Sequence, residues 1–140
     1  MTTALKVLLV EDHAADRRLL EEALSDCKIA VDLNTVSDGE QAIRYVKKTG
    51  NYKSAERPDL IILDLNMPRK DGHQFLEEMQ GFLKKEEIPV VLLTVSDNPT
   101  DHDRALDCHM NYFMSKPVNS ERLQQILNAV TELWTPGCCH

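Results

Sequence analysis

The sequence predicts an α/β fold in which a parallel β-sheet carries helices on both faces. Short apolar runs alternate five times with amphipathic segments along the 140 residues. Several of the runs lack a period of two, which is typical of strands buried on both faces. A composition of 42% hydrophobic and 28% charged residues is typical of a globular domain. Because strands that alternate with helices form parallel sheets, we expect five consecutive βα units.

The five predicted strands are short and rich in apolar residues. They are Lys6–Val10, Val31–Val36, Leu60–Leu63, Val90–Leu93 and Tyr112–Met114. The polar stretch Thr49–Arg57 precedes the third strand and is predicted to be a surface loop.

The first two helices are predicted from an apolar face and from a capping pattern. In the first helix, four apolar residues are expected to share one face: Ala15, Leu19, Ala23 and Leu24. In the second, Ser37 and Glu40 have capping-box spacing, and the helix is expected to run to about Lys48.

The other three helices follow the third, fourth and fifth strands. The third opens at Asp71-Gly72 and carries Phe75, Leu76 and Met79. Asn98-Pro99 is expected to open the fourth, because proline suits the first helical position. The fifth has an apolar face made of Leu123, Ile126, Leu127 and Val130.

The net charge of −7 disfavours nucleic acid as a partner. No basic run is longer than two residues, so no segment is expected to attract phosphates. We expect one domain at 1–134 and a short tail at 135–140, which leaves no room for a separate DNA-binding module. The charge fits either a solvated acidic surface or carboxylates that converge on a cation.

No feature of the sequence indicates secretion or a membrane span. The apolar run Val7–Val10 is too short for a signal core or a membrane span. A cytoplasmic location is therefore expected, with reduced thiols at Cys27, Cys108, Cys138 and Cys139. Cys138-Cys139-His140 could chelate a metal, although three adjacent residues at a chain end make a poor closed site.

Polar residues follow four of the predicted strands, at the point where each strand ends. They are Glu11 and Asp12, then Asp64, then Thr94, and finally Ser115, Lys116 and Pro117. Because the carboxyl ends of parallel strands share one edge of a sheet, these groups are expected to meet there. Singly, each has an ordinary explanation as a helix cap, a turn, a loop or a buried hydroxyl.

Together these residue types predict a phosphoryl-transfer site. Three carboxylates at close range repel one another, and a hard divalent cation relieves the repulsion; oxygen ligands favour Mg²⁺. Lys116 would hold phosphate oxygens, and Thr94 would offer a hydroxyl donor. A carboxylate nucleophile beside these groups is what phosphoryl transfer requires.

These residues resemble the signature of response-regulator receiver domains of two-component signalling. The matching stretches are Val7 to Asp12, Asp64 to Pro68 with Asp71-Gly72, Thr94, and Lys116-Pro117. The resemblance implies a flavodoxin-like, doubly wound five-stranded sheet of order 2-1-3-4-5 with five helices. The long connection before the third strand, the absence of an output domain and Trp134 near the end look most like the small single-domain phytochrome-associated response regulators.

The resemblance implies a metal site and a phosphorylated residue. Asp64 would accept a phosphoryl group from a sensor histidine kinase, for which a phytochrome is one candidate. Asp12, Asp64 and the backbone carbonyl of Asn66 would bind Mg²⁺ directly, and Glu11 would act through a metal-bound water.

The resemblance also implies the groups that handle the phosphoryl group. Lys116 and Thr94 would contact it, and a cis bond between Lys116 and Pro117 would aim the lysine. Asn66 and Ser96 match positions that tune how long the phosphoryl group survives.

A receiver without an output domain is expected to signal through its surface. We expect a homodimer through the fourth helix, fifth strand and fifth helix, with Phe113 as the switch aromatic and Trp134 at the interface. Phenylalanine at 113 lacks the hydroxyl that tyrosine would offer. Val95 is bulkier than the small residue often found just after the threonine in this family, and it would narrow access to the site. Each aromatic residue also has an ordinary explanation without a role in signalling. Phe113 could be a core or interface residue, and Trp134 could be a helix-end residue that packs against the core of its own chain.

Two other function classes can be weighed against the phospho-acceptor switch. A phosphorylation-independent adaptor on a receiver fold would have no need of the acids, the threonine and the lysine. A metal-dependent phosphatase usually places a second acid two residues after its nucleophile, and here that residue is Asn66. We therefore expect no enzyme, but a signalling protein that catalyses only its own phosphorylation and slow autodephosphorylation.

Overall fold

The computed structural model of the chain describes residues 4–55, 57–64, 72–94, 111–115 and 120–134. The strands are β1 Leu5–Val10, β2 Val31–Val36, β3 Leu60–Asp64, β4 Val90–Thr94 and β5 Asn111–Ser115. The helices are α1 Ala14–Asp26, α2 Gly39–Lys47, α3 Gly72–Glu86 and α4 Ser120–Trp134, with a 3₁₀ turn at Gly50–Tyr52.

All strand pairs are parallel, and the sheet has the order β2-β1-β3-β4-β5. Each strand agrees with its predicted apolar run to within one residue at either end. The buried strands lie in the middle of the sheet, while β2 lies at an edge and exposes alternate residues, including Asp32 and Asn34. The predicted parallel α/β fold is therefore confirmed.

The sheet carries a hydrophobic core on each face. On one face, residues such as Leu8, Ile61 and Leu63 pack with α2 and α3, and we call this the α2–α3 layer. On the other, residues such as Leu9 and Ile62 pack with α1 and α4, which we call the α1–α4 layer. Because successive side chains of a strand point to opposite faces, each central strand contributes to both layers.

The apolar face of α1 differs from the predicted one. Leu20, Ala23 and Leu24 are buried, whereas Ala15 is exposed and Leu19 is 49% exposed. The prediction was therefore wrong at Ala15 and Leu19 and right at Ala23 and Leu24. Successive residues of a helix are rotated by about 100° from each other. Because Leu20 faces the core together with Ala23 and Leu24, the preceding Leu19 points away from it.

The N-terminus of α2 is capped one residue later than predicted. Asp38 is the N-cap, and its Oδ1 accepts a hydrogen bond from the Gln41 backbone N–H at 2.9 Å. The Gln41 side-chain oxygen accepts one in return from the Ser37 backbone N–H at 2.9 Å. The predicted pair, Ser37 and Glu40, has the same spacing, so spacing alone could not choose between the two registers. The helix ends at Lys47, within one residue of the predicted end, and Lys48 adopts the left-handed conformation.

Replacing Asp38 by alanine is expected to lower the free energy of unfolding by about 1 kcal/mol or more, because the cap of α2 is lost. Ser37→Ala is the matched control: Ser37 contributes only its backbone N–H to this cap and should stay within about 0.5 kcal/mol of the wild type. Urea unfolding of both variants measures the difference. A larger loss for Ser37→Ala than for Asp38→Ala would contradict the assignment of the cap.

The predicted loop Thr49–Arg57 is partly anchored to the core. The ring of Tyr52 lies 5.4 Å from that of Tyr45, centroid to centroid, and both pack at the border of the α2–α3 layer. Burial, followed by the carboxylate of Asp32 and by Tyr52 itself, raises the pKa of Tyr45. The long connection before β3 is therefore held down by an aromatic pair.

The later helices bury the predicted faces. In α3 these residues are Phe75, Leu76 and Met79, and in α4 they are Leu123, Ile126, Leu127 and Val130. The helix predicted to open at Asn98-Pro99 lies outside the described residues. None of the described helices is long and apolar enough to span a membrane.

Candidate functional site

Strand register brings Glu11 and Asp64 side by side at the carboxyl edge of the sheet. Val10 pairs with Leu63, so the next residues, Glu11 and Asp64, lie level on neighbouring strands. Glu11 continues the hydrogen-bonding pattern between β1 and β2, because its backbone N–H donates to the Val36 carbonyl at 3.1 Å. Both come two residues after members of the α1–α4 layer, Leu9 and Ile62, and the alternation of side chains directs them to that same face.

A third carboxylate reaches this point from α1. The helix begins at Ala14, immediately beyond the end of β1, and Asp16 lies in its first turn. One oxygen each from Glu11, Asp16 and Asp64 can be chosen so that all lie within 4.8 Å of one another. We call these three residues the acidic cluster.

Two members of the acidic cluster are almost fully enclosed. Glu11 is 1% exposed and Asp64 is 2% exposed, while Asp16 is half-buried. The His13 backbone N–H donates to Oε1 of Glu11 at 3.2 Å, which fixes one oxygen of that carboxylate. Charged groups are rarely taken out of water in this way unless they are paired or bind a cation.

The acidic cluster suits a hard divalent cation. Its donors are carboxylate oxygens, which Mg²⁺ and Mn²⁺ accept. The oxygens lie within 4.8 Å of one another, close enough to converge on a single ion. Bringing three carboxylates together without a cation costs electrostatic free energy, because each charge disfavours the others.

The structure brings together two of the predicted acids and adds one that was not predicted. Glu11 and Asp64 lie in the acidic cluster, and Asp12 is half-buried just beyond Glu11 without being one of the three. Asp16 was missed because its proximity depends on how α1 packs against the sheet. An acid in the first turn of a helix that leaves the carboxyl edge was the signal that could have revealed it.

The ends of β4 and β5 reach the same edge. Leu93 pairs with Asp64, and the backbone of Thr94 pairs with Ser115. Lys116 follows Ser115 in the sequence, but it lies outside the described residues, as do Pro117, Asn66, Ser96 and Val95. Phe113 lies in the middle of β5 and Trp134 is the last residue of α4. The roles of these residues remain predictions.

Cys27 follows the last residue of α1, at the opposite end of the helix from the acidic cluster. Its thiol donates to the Ala23 carbonyl at 3.3 Å. Burial, and to a smaller extent the carboxylate of Asp26, raises the pKa of Cys27, which favours the protonated thiol. The other predicted thiols, and the candidate chelating tail 138–140, lie outside the described residues.

Comparison with known proteins gives a family match over most of the chain. The model for the family described as "Response regulator receiver domain" matches residues 7–128. The response regulator Rcp1 of Synechocystis sp. is 37% identical over 128 residues, which covers 91% of this chain and 87% of that protein.

Solved structures agree with the sequence match. A crystal structure of the phosphorylated cyanobacterial phytochrome response regulator RcpA superposes with a TM-score of 0.77 at 41% identity, covering 94% of both chains. The Mn²⁺-bound form of Rcp1 superposes with a TM-score of 0.74 at 36% identity, covering 94% of this chain and 95% of that one.

Proposed function

Because the chain belongs to the response regulator receiver domain family, we propose that it accepts a phosphoryl group from a sensor histidine kinase on Asp64. The observation that carries this proposal is the position of Asp64. It ends a central strand, it is 2% exposed, and it lies within 4.8 Å of two further carboxylates. A nucleophile held at a fixed point among groups that favour a cation is what phosphoryl transfer requires.

In the proposed reaction, an oxygen of Asp64 forms a bond to phosphorus while the P–N bond of the donor phosphohistidine breaks. The electron pair of that bond returns to the imidazole nitrogen, and the product is an acyl phosphate on Asp64. The attacking carboxylate has no proton to lose, so the chain needs no general base for this step. Thr94 and Lys116, which are placed at the same edge by the sequence, would contact the phosphoryl oxygens.

Receiver domains bind Mg²⁺ at an acidic pocket, and the related Rcp1 has been solved with Mn²⁺. In this chain we propose that Glu11, Asp12, Asp64 and the backbone carbonyl of Asn66 hold the ion. Bound Mg²⁺ would neutralise negative charge on the transferring group. The protein's own contribution is to hold these oxygens in place through the pairing of β1 with β3 and the hydrogen bond to Glu11.

The similarity to Rcp1 and RcpA supports a narrower proposal about the pathway. We propose that the donor is a phytochrome-type histidine kinase in the cytoplasm. The signal would be transmitted through a homodimer surface that includes β5, which contains Phe113, and α4, which ends at Trp134. Phosphorylation would bias this surface between two arrangements.

The acidic cluster disfavours the adaptor alternative. Glu11, Asp16 and Asp64 offer carboxylate oxygens within 4.8 Å of one another, a set of ligands that suits a hard cation. A phospho-acceptor that depends on Mg²⁺ would use this set, whereas an adaptor that never binds a cation has no need of it.

Incubation with acetyl phosphate tests the proposal directly. In the presence of Mg²⁺, intact mass spectrometry should show one added phosphoryl group per chain, and peptide mapping should place it on Asp64. With EDTA the uptake should fall to background, because the charge on the transferring group is no longer neutralised. Uptake that is absent in Mg²⁺, or equal with and without EDTA, would overturn the proposal.

A further inference from the structure

We propose that Asp16 is a working part of the divalent-cation site, adding a side-chain carboxylate to those of Glu11, Asp12 and Asp64, which the receiver signature identifies. This inference rests on the proposed function, since it concerns the same site. It assigns a role to a residue in the first turn of α1, either as a ligand or through a metal-bound water.

The position of Asp16 is determined by the packing of α1. Asp16 lies one helical turn before Leu20, and residues four apart lie on the same face of a helix. Leu20, Ala23 and Leu24 anchor that face in the α1–α4 layer. The face that packs against the sheet therefore ends in a carboxylate at the carboxyl edge, where Glu11 and Asp64 lie.

The short connection from β1 to α1 keeps this geometry. Only residues 11–13 separate the end of β1 from the start of α1. The His13 backbone N–H binds Oε1 of Glu11, and the Arg17 backbone N–H binds the His13 carbonyl at 2.9 Å. The connection thus links Glu11 to the first turn of the helix, and the three carboxylates are held as one group.

The electrostatics also favour a cation held by Asp16. The acidic cluster contributes three carboxylates, each of which is an ordinary ligand for a hard divalent cation. A divalent ion placed among the three oxygens interacts with all of them, so removing the Asp16 charge should weaken binding. The expected loss is about 10- to 100-fold in Mg²⁺ affinity, the range found when a group that supports a metal site is removed.

Calorimetric titration with MgCl₂ and with MnCl₂ measures this loss on the full chain. Asp16→Asn keeps the size of the side chain and removes its charge, and it should bind both ions about 10- to 100-fold more weakly. Asp26→Asn is the matched control, because it makes the same change at the exposed far end of the same helix. Its affinity should equal that of the wild type.

A second readout separates a metal role from a merely structural one. In Asp16→Asn, the Mg²⁺ concentration that gives half-maximal phosphoryl uptake should rise with the weaker affinity, while uptake at saturating Mg²⁺ should return to that of the wild type. Asp16→Glu keeps the carboxylate and should bind Mg²⁺ more tightly than Asp16→Asn. An Asp16→Glu variant as weak as Asp16→Asn would overturn the role of the charge.

The outcomes distinguish this inference from the proposed function. If wild type binds Mg²⁺ and is labelled on Asp64, but Asp16→Asn binds the ion equally well, the inference is wrong and the function stands. If wild type neither binds Mg²⁺ nor takes up phosphoryl groups, the proposed function fails and the inference fails with it.

Discussion

Replacing Asp64 by asparagine is expected to abolish phosphoryl uptake from acetyl phosphate in the presence of Mg²⁺. The amide has nearly the size of the carboxylate, so the enclosed position at the end of β3 can still be filled. It lacks the negatively charged oxygen that attacks phosphorus, so the proposed reaction cannot begin at this position. Intact mass spectrometry after a fixed incubation measures the uptake per chain.

Asp26→Asn serves as the control for this experiment, because Asp26 is exposed at the end of α1 opposite the acidic cluster. Its uptake should match that of the wild type. Far-ultraviolet circular dichroism shows whether both variants are folded. Labelling of a folded Asp64→Asn protein at the wild-type level would show that another residue is the acceptor.

Replacing Leu20 by alanine is expected to lower the free energy of unfolding by about 2–5 kcal/mol. Leu20 is fully buried in the α1–α4 layer, so the substitution removes apolar contacts and leaves a cavity. The neighbouring Leu19 provides a matched control, since it is 49% exposed on the same helix. Leu19→Ala should cost less than about 1 kcal/mol, because little apolar area is returned to water.

Urea unfolding of the two leucine variants decides which face of α1 packs on the sheet. The variants differ from each other only in which of two adjacent side chains is shortened. A greater loss for Leu19→Ala than for Leu20→Ala would mean that the helix is rotated from the orientation described. It would also move Asp16 away from Glu11 and Asp64, so the result bears on the site.

The sequence predicted the sheet well because buried strands have a strong local signal. The run Leu60–Leu63 is apolar on both faces, and its short length and two β-branched isoleucines favour a buried strand over a helix. Glu11 and Asp64 could be predicted for the same reason, since each directly follows a strand whose direction is known. Their proximity required only that neighbouring strands be parallel.

The errors arose where neighbouring residues compete for one position. Leu19 and Leu20 both have apolar partners at helical spacing, and packing with the rest of the core decides between them. The capping pairs that begin at Ser37 and at Asp38 have equal spacing and similar chemistry. The proximity of Asp16 to the other two acids depends on how α1 packs against the sheet, so its position in the first turn marks it only as a candidate.

The enclosed carboxylates have a consequence for the thermodynamics of the whole domain. Any ion that binds only the folded chain raises its unfolding free energy, by about 2.7 kcal/mol at a hundred times the dissociation constant. Glu11 and Asp64 lie at the carboxyl ends of β1 and β3, which are inner strands of the sheet. Ion binding at these residues would therefore be coupled to the folding of the buried centre of the protein. Under the proposed chemistry, its melting temperature would thus report the free Mg²⁺ concentration around it.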